Sequence, residues 1–199
     1  GKKINSFGEI IAGLGILFIG MSTMSVAMGP LRNEPAFIDL MTTISNPFVA
    51  VLFGAGFTAL IQSSSASVGI LQTLAMGGLI PLSSSIYIIF GQNIGTCITS
   101  VIASLGASRN AKRATVIHLS FNLIGTALFM LFIQLVPFVT WMEAFTTNPA
   151  AQIANTHTIF NIATTLLLIP FGYKLAKIPE MVLPVLPEEK EESSIQLQF

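Results

Sequence analysis

The sequence predicts an all-α polytopic membrane protein with about four membrane-crossing helices, a re-entrant helical hairpin and a discontinuous helix. The first observation behind this prediction is the scarcity of charge: only 9% of the 199 residues are Asp, Glu, Lys or Arg, whereas soluble domains carry about 25%. The second is a run of 69 residues, 40–108, without one charged side chain. A soluble fold needs charge on its solvated faces, and nucleic-acid binding needs a basic patch. The pattern therefore argues strongly against a soluble fold and excludes nucleic-acid binding.

Apolar length is the third observation, because a helix that crosses a bilayer needs about 20 mostly apolar residues. Four segments reach that length: residues 7–31, 86–105, 114–136 and 151–175. A fifth apolar region, 47–80, is too long for one crossing and is interrupted by Gln-Ser-Ser-Ser at 62–65. Each of its halves is short for a full span, so we predict two half-helices that meet at a polar tip. Two full crossings of 47–80 would leave the rest of the chain on the same side of the membrane, so they stay open as an alternative.

Basic residues predict the orientation, because positively charged loops stay on the cytoplasmic side. Three basic clusters flank the apolar segments: Lys2 and Lys3; Arg109, Lys112 and Arg113; Lys174 and Lys177. All three fall on one face if the hairpin returns to the side from which it enters. We therefore predict a multi-pass protein of the plasma (inner) membrane, with both termini of this segment cytoplasmic. The chain begins at Gly1 rather than Met, from which we expect a processed chain or a fragment.

The composition divides the chain into two parts. Residues 1–183 form one membrane domain, embedded in the lipid bilayer. Beyond it the segment Pro-Glu-Glu-Lys-Glu-Glu-Ser-Ser, 187–194, is acidic and has no apolar periodicity. We predict that residues 184–199 are a disordered acidic cytoplasmic tail.

The uncharged run is nevertheless polar, since it holds 22 Ser, Thr, Gln and Asn residues. Such side chains cost of order 2–7 kcal/mol each in an apolar medium without partners, so they must face protein, water or a ligand. They concentrate at 58–67 and 91–99. Neutral oxygens can replace part of a sodium ion's hydration shell, and hydroxyl groups at a helix N-terminus can bind an oxyanion. Turn formation by the serines, and a Gly91-x-x-x-Gly95 helix contact, are the plainer interpretations.

An internal echo recurs 39 residues apart, His118-x-x-Phe-Asn122 and His157-x-x-Phe-Asn161. Histidine and asparagine at i and i+4 share one helix face. We favour structural hydrogen bonding between helices over a proton relay or a metal site. No Gly-x-Ser-x-Gly elbow accompanies the serines, so we predict that the chain is not an enzyme.

Two motifs carry a resemblance to a known family. Gln-Ser-Ser-Ser-Ala at 62–66 is followed 30 residues later by Gly-Gln-Asn-Ile-Gly-Thr at 91–96. With these motifs the chain, from about residue 8 to 175, closely resembles the type II sodium/phosphate cotransporter family. The resemblance implies sodium-coupled symport of inorganic phosphate by alternating access. It also implies two inverted repeats, each with a re-entrant hairpin, as the whole fold.

The same resemblance implies the site residues. Phosphate binding falls to Gln62, Ser63, Ser64 and Ser65. Co-transported sodium ions are expected to bind to Gln62, Ser65, Asn93, Thr96 and Thr99, of which the last three belong to an unwound helix. Gly91 and Gly95 are expected to form a hinge. Gln92 and Cys97 depart from the family pattern, where a small residue and a threonine are usual.

Only one Gln-Ser-Ser-Ser motif is present, so the chain looks like the second of two repeats. The resemblance therefore implies a partner, a second inverted repeat supplied upstream in the same protein or by a separate chain. Two alternatives stay open: a non-transporting membrane sensor or assembly subunit, and a sodium-coupled carrier of another small oxyanion.

Overall fold

The computed structural model describes residues 2–27 and 29–184, with the side chains at 2–5, 25, 31, 32 and 42 left aside. The predicted tail, 184–199, lies outside the described residues except for Pro184. All regular structure in the described part is helical. In chain order the α-helices are α1 (Lys2–Ala27), α2 (Pro35–Ile44), α3 (Pro47–Ile61), α4 (Ser64–Met76), α5 (Leu82–Gly95), α6 (Cys97–Ser104), α7 (Arg109–Leu135), α8 (Phe138–Phe145), α9 (Pro149–Leu168) and α10 (Gly172–Val182).

The prediction of an all-α polytopic membrane protein is confirmed. Four helical segments are long and apolar enough to cross a membrane: Ser6–Met24, Leu82–Ser104, Arg109–Leu135 and Pro149–Val182. They coincide with the four predicted spans, although the first ends earlier than expected. A 3₁₀ turn, Gly29–Asn33, follows α1 closely, because Pro30 lacks the N–H group that a continuing helix needs.

Helix α3 begins and ends through local chemistry. The Asn46 side chain accepts hydrogen bonds from the backbone N–H groups of Phe48 and Val49, at 3.0 and 3.4 Å, and Pro47 occupies the first helical position. The helix stops at Ile61 because Gln62 adopts a left-handed conformation, with φ 57°. At 15 residues it is about 22 Å long, which is short of a hydrocarbon core of about 30 Å.

Helices α3 and α5 are parallel and nearly in backbone contact. Gly91 faces Val51, and Gly95 faces Ala55 and Thr58, so residue numbers rise together along both helices. Because α3 and α5 run in the same direction, α4 must carry the chain back between them. The observed unit is thus the helix–turn–helix expected of a re-entrant hairpin, seated against a full-length span.

An apolar core joins α5, which packs on α3, to the last two spans. The rings of Phe90, Phe129 and Phe160 are mutually packed, with centroids 5.0–5.8 Å apart. Phe90 lies on α5, Phe129 on α7 and Phe160 on α9. The three spans therefore form one bundle, and helix α8 covers its end through Phe138 and Met142.

The start and the end of the described chain are held differently. Helix α1 makes contacts with α4 and with the 3₁₀ turn that follows it. Helix α10 packs on α7, where Arg113 Nε donates to the Leu183 carbonyl at 3.0 Å. Arg109 and Arg113 also donate to the Pro184 carbonyl, at 2.7 and 2.9 Å. Two arginines at the start of α7 thus hold the chain at the end of α10.

Candidate functional site

The hairpin tip is built from two residues with non-helical backbone. Gln62 is left-handed, and Ser63 is extended, with φ −142° and ψ 107°. The Ser63 hydroxyl oxygen accepts the backbone N–H of Ala66 at 3.3 Å, which caps the first turn of α4. Gln62 and Ser65 are exposed, whereas Ser63 and Ser64 are half-buried. The serine run therefore forms the turn and also presents polar groups outside the bundle.

The electrostatics of the tip favour an anion. The first N–H groups of an α-helix have no partner within the helix, and the aligned peptide dipoles give the N-terminus about half a positive charge. Helix α4 starts at Ser64, so this end points to the tip. Hydroxyl groups of the same serines can donate further hydrogen bonds to an oxyanion.

The second motif lies at the junction of α5 and α6. Only Thr96 separates the two helices, and its φ of −57° and ψ of −28° are still helical. Its backbone N–H donates to the Gln92 carbonyl at 3.0 Å. The expectation of an unwound helix is therefore wrong for this structure, because the i to i−4 hydrogen bond continues across Thr96. The break between α5 and α6 is limited to this one residue.

The polar side chains of this junction use their hydrogens within their own helix. Asn93 Nδ2 donates to the Ile89 carbonyl, and Thr96 Oγ1 donates to the Gln92 carbonyl, both at 2.9 Å. Thr99 Oγ1 donates to the Thr96 carbonyl at 3.0 Å. Each of these bonds uses a donor and leaves lone pairs on the side-chain oxygen. Asn93 is buried, Thr96 half-buried and Thr99 exposed.

The parallel packing of α3 and α5 brings the two motifs to the same level. Thr58 lies beside Gly95, where an added Cβ would be 2.8 Å from the Thr58 Cβ. Gln62 is one turn beyond Thr58, and Thr99 is one turn beyond Gly95. Helix α3 also contacts α6. The tip and the α5–α6 junction therefore lie side by side, as a shared site requires.

Gly91 and Gly95 have a packing role in this structure. A Cβ at Gly91 would collide with the Val51 carbonyl oxygen and come within 2.8 Å of the Ala55 nitrogen. A Cβ at Gly95 would collide with the Ala55 carbonyl oxygen. This is the close helix contact that small residues allow in membranes. The hinge predicted for these glycines stays a prediction.

Three buried oxygens near the tip were not among the predicted site residues. Thr58 Oγ1, Ser67 Oγ and Gln92 Oε1 have no hydrogen-bond partner among the described residues, and their side chains are 0%, 0% and 1% exposed. Ser67 and Gln92 line one cavity of about 300 Å³ whose other walls are apolar. Unsatisfied buried oxygens cost about 1–3 kcal/mol each. Sequence reasoning missed them because an unpartnered oxygen is visible only once the packing is known.

Gln92 and Cys97, the two departures from the family pattern, both point into the protein. The Gln92 side chain lines the cavity between α2, α3, α4 and α5. Cys97 Sγ receives a hydrogen bond from Asn122 Nδ2 at 3.4 Å and lies 3.7 Å from the His118 carbonyl oxygen. Ser100 Oγ is 3.2 Å from His118 Nδ1. These polar contacts fasten α6 to α7.

Neutral oxygens are what a cation meets at this site. Among residues 2–27 and 29–184, no three His, Cys, Asp or Glu side chains come together as metal ligands. No charged residue occurs anywhere between 40 and 108. Hydroxyl, amide and carbonyl oxygens without a formal charge suit a weakly held alkali cation rather than a transition metal.

Comparison with known proteins identifies the family of the chain. The sequence profile described as Na+/Pi-cotransporter matches residues 35–172, which include the hairpin, the α5–α6 junction and the last spans. The chain belongs to the Na+/Pi-cotransporter family. The resemblance drawn from the two motifs is therefore confirmed.

Individual relatives give the scale of the similarity. The chain is 32% identical over 186 residues to "Uncharacterized protein YqeW" of Bacillus subtilis, an alignment that covers 91% of the chain and 59% of that relative. It is 21% identical over 188 residues to "Putative inorganic phosphate export protein YjbB" of Salmonella typhimurium, covering 94% of the chain and 34% of the relative. Over 85 residues it is 38% identical to "Sodium-dependent phosphate transport protein 2A" of Rattus norvegicus, covering 40% of the chain and 13% of the relative.

The chain thus spans between about one third and three fifths of the length of the bacterial relatives it matches. No solved structure matches it.

Proposed function

We propose that this chain supplies one repeat of a transporter that moves inorganic phosphate across the membrane in symport with sodium. The observation that carries the proposal is the shared level of the hairpin tip and the α5–α6 junction in an uncharged part of a Na+/Pi-cotransporter family member. Because the family to which the chain belongs is named for cotransport, we propose a transporter rather than an enzyme.

Phosphate is proposed to bind at the tip, through Gln62, Ser63, Ser64 and Ser65. The Ser63 oxygen already accepts the Ala66 N–H, so its own O–H is available to donate. The exposed Gln62 amide can donate as well. Together with the positive end of α4, these donors suit a small tetrahedral oxyanion.

Sodium is proposed to bind between the tip and the junction, through Gln62, Ser65, Asn93, Thr96 and Thr99. Asn93, Thr96 and Thr99 direct their hydrogens to backbone carbonyls, which leaves oxygen lone pairs for a cation. We add the oxygens of Thr58, Ser67 and Gln92, which have no partner among the described residues, as further candidates, because a cation would offset the cost of burying them.

Coupling follows from the absence of fixed charge. An anion entering this region meets no Lys or Arg side chain, so sodium ions must supply the positive charge that the helix N-terminus does not. Sodium binding before phosphate is the order this requires. Each net positive charge that moves inward gains about 2.3 kcal/mol per 100 mV of membrane potential.

A second, oppositely oriented repeat is proposed to complete the site, either elsewhere in the same protein or in a separate chain. The exposed side chains of Gln62, Ser65 and Thr99 support this, because the described chain leaves one side of the tip open. Alternating access then arises when the repeats rock about the site. We further propose a plasma-membrane location, with the hairpin entering from outside and both ends of this chain in the cytoplasm.

Phosphate flux into proteoliposomes, measured with and without a sodium gradient, tests the proposal with the completed transporter. We expect uptake that depends on sodium, at least tenfold reduced by Gln62→Ala and by Ser64→Ala. Ser83→Ala is the matched control, since Ser83 is exposed near the start of α5, far from the tip. Flux that ignores the sodium gradient contradicts symport and favours export of the kind named for YjbB. Equal flux in all three variants contradicts the assigned site.

A further inference from the structure

A long apolar groove runs along the bundle on the side formed by α7, α8, α9 and α10. Two adjoining hollows of about 410 and 510 Å³ share the side chains of Leu128 and Leu167. One hollow ends at Trp141, and the other ends at Lys174 and Ile178. From Ile159 to Ile178 the groove follows 19 residues of mostly helical chain, about 28 Å, close to the thickness of a hydrocarbon core.

The ends of the groove differ from its walls. Apart from Lys174, the side chains that line it are aliphatic, aromatic or methionine, and several are about half exposed, Leu167 at 50% and Phe171 at 48%. Trp141, 48% exposed at the other end, is an aromatic typical of the membrane–water interface. The groove therefore has the polarity profile of a bilayer, apolar along its length and amphipathic at its ends.

Lys174 is the charged group that the groove presents to a ligand. Its Nζ lies 5.6 Å above the centroid of the Phe171 ring, which fixes the ammonium group beside the apolar wall. An ammonium group in this position, at the level of a membrane surface, favours an anionic counter-group.

The walls argue for a lipid chain rather than a transmembrane helix. Helices dock in membranes where small residues let their backbones approach, as Gly91 and Gly95 do against α3. Ala163 is the small residue among the groove's lining side chains; the others are bulky. Bulky side chains with a furrow between them fit a flexible acyl chain better than another helix.

We propose that this groove binds an anionic phospholipid, with its phosphate group on Lys174 and one acyl chain along Leu128 and Leu167. The site lies on α7, α8, α9 and α10, separate from the ion site at the hairpin tip. An annular lipid that does not distinguish headgroups would need no lysine here.

Lipid-dependent thermal stability and native mass spectrometry of the purified protein test this proposal. We expect phosphatidylglycerol to raise the melting temperature more than phosphatidylcholine does, and to survive as a bound adduct. Lys174→Gln should weaken phosphatidylglycerol binding about fivefold, the loss expected for one basic side chain at an anionic surface, while Lys174→Arg should retain it.

Lys177→Gln is the matched control, because Lys177 stacks on Tyr173, 4.6 Å from its ring centroid, and does not line the groove. An equal loss in Lys177→Gln would mean diffuse surface charge and overturn the site. Equal stabilisation by the two lipids would overturn the headgroup preference. A second protein copy held on this face, seen as a dimer mass without lipid, would overturn the proposed occupant.

Discussion

Two membrane-length helices of similar hydropathy have opposite surroundings. The segment Ser6–Met24 of α1 has a mean hydropathy of 1.7 and is 0% buried, whereas Leu82–Ser104, which spans α5 and α6, has a mean hydropathy of 1.5 and is 50% buried. Hydropathy therefore identifies the membrane as the environment of both helices. It does not identify which of them is packed inside the protein.

Their glycines show where the difference originates. Added Cβ atoms at Gly13 and Gly15 of α1 would meet nothing within 4 Å. Added Cβ atoms at Gly91 and Gly95 of α5 would strike the backbone of α3. Glycine is thus not needed for packing in α1, whereas in α5 it allows the close contact with α3.

The largest effect that this comparison predicts is for Gly91→Ala. The new methyl group would collide with the Val51 carbonyl oxygen, which belongs to a helix backbone and cannot move aside alone. We expect α3 and α5 to separate and the protein to lose about 3 kcal/mol of stability, the upper range for overpacking. The melting temperature in detergent measures the change.

Gly15→Ala is the matched control for that substitution. Nothing lies within 4 Å of the added Cβ, and alanine favours a helix by about 1 kcal/mol over glycine. We expect an unchanged or slightly higher melting temperature. If the two variants have the same melting temperature, the glycine contact between α3 and α5 does not hold the hairpin in place.

The sequence predicted the four spans, and the break between two short helices at 62–65, from apolar length and from the polar interruption. That this helix–turn–helix re-enters the membrane stays a prediction. The sequence left the α3–α5 contact as one of two interpretations of Gly91-x-x-x-Gly95, since the partner helix is a tertiary fact. It was wrong about unwinding at Thr96, where the hydrogen bond to Gln92 keeps the helical path. Thr58 and Ser67 bound the polar cluster at 58–67, but nothing in the sequence shows that their hydroxyl groups are buried without a hydrogen-bond partner among the described residues.

A smaller effect is expected from a hydroxyl group enclosed by the same contact. Thr58 is fully buried beside Gly95, and its Oγ1 lacks a partner among the described residues. Thr58→Val keeps the shape and removes the unsatisfied oxygen, so we expect a gain of about 1 kcal/mol in stability. If the oxygen binds sodium, the same variant should need at least threefold more sodium for half-maximal phosphate flux.

Thr23→Val on α1 is the control, because the exposed Thr23 hydroxyl donates to the Ile19 carbonyl of its own helix at 2.9 Å. It should change neither stability nor sodium dependence appreciably. Lower stability in Thr58→Val would show that the oxygen has a partner that holds the fold. Higher stability with unchanged sodium dependence would remove Thr58 from the candidate ligands.

The smallest predicted effect concerns the His-x-x-Phe-Asn echo, whose two copies are alike in sequence and different in structure. Asn122 is buried, donates to the His118 carbonyl at 3.0 Å and reaches Cys97 on α6. Asn161 is half-buried and donates to the His157 carbonyl of its own helix at 2.8 Å. Asn122 therefore joins two helices, whereas Asn161 makes a hydrogen bond within its own helix.

Asn122→Ala should cost about 0.6 kcal/mol of stability, the average for a hydrogen bond between membrane helices. Asn161→Ala should cost less than half of that, because it removes a local bond. Melting temperatures of the two variants give the order directly. The reverse order would mean that Asn161 of α9 makes a contact outside this chain, as a second repeat packed against that face would provide. Helix α9 would then be enclosed on that face, like α5, and not exposed like α1.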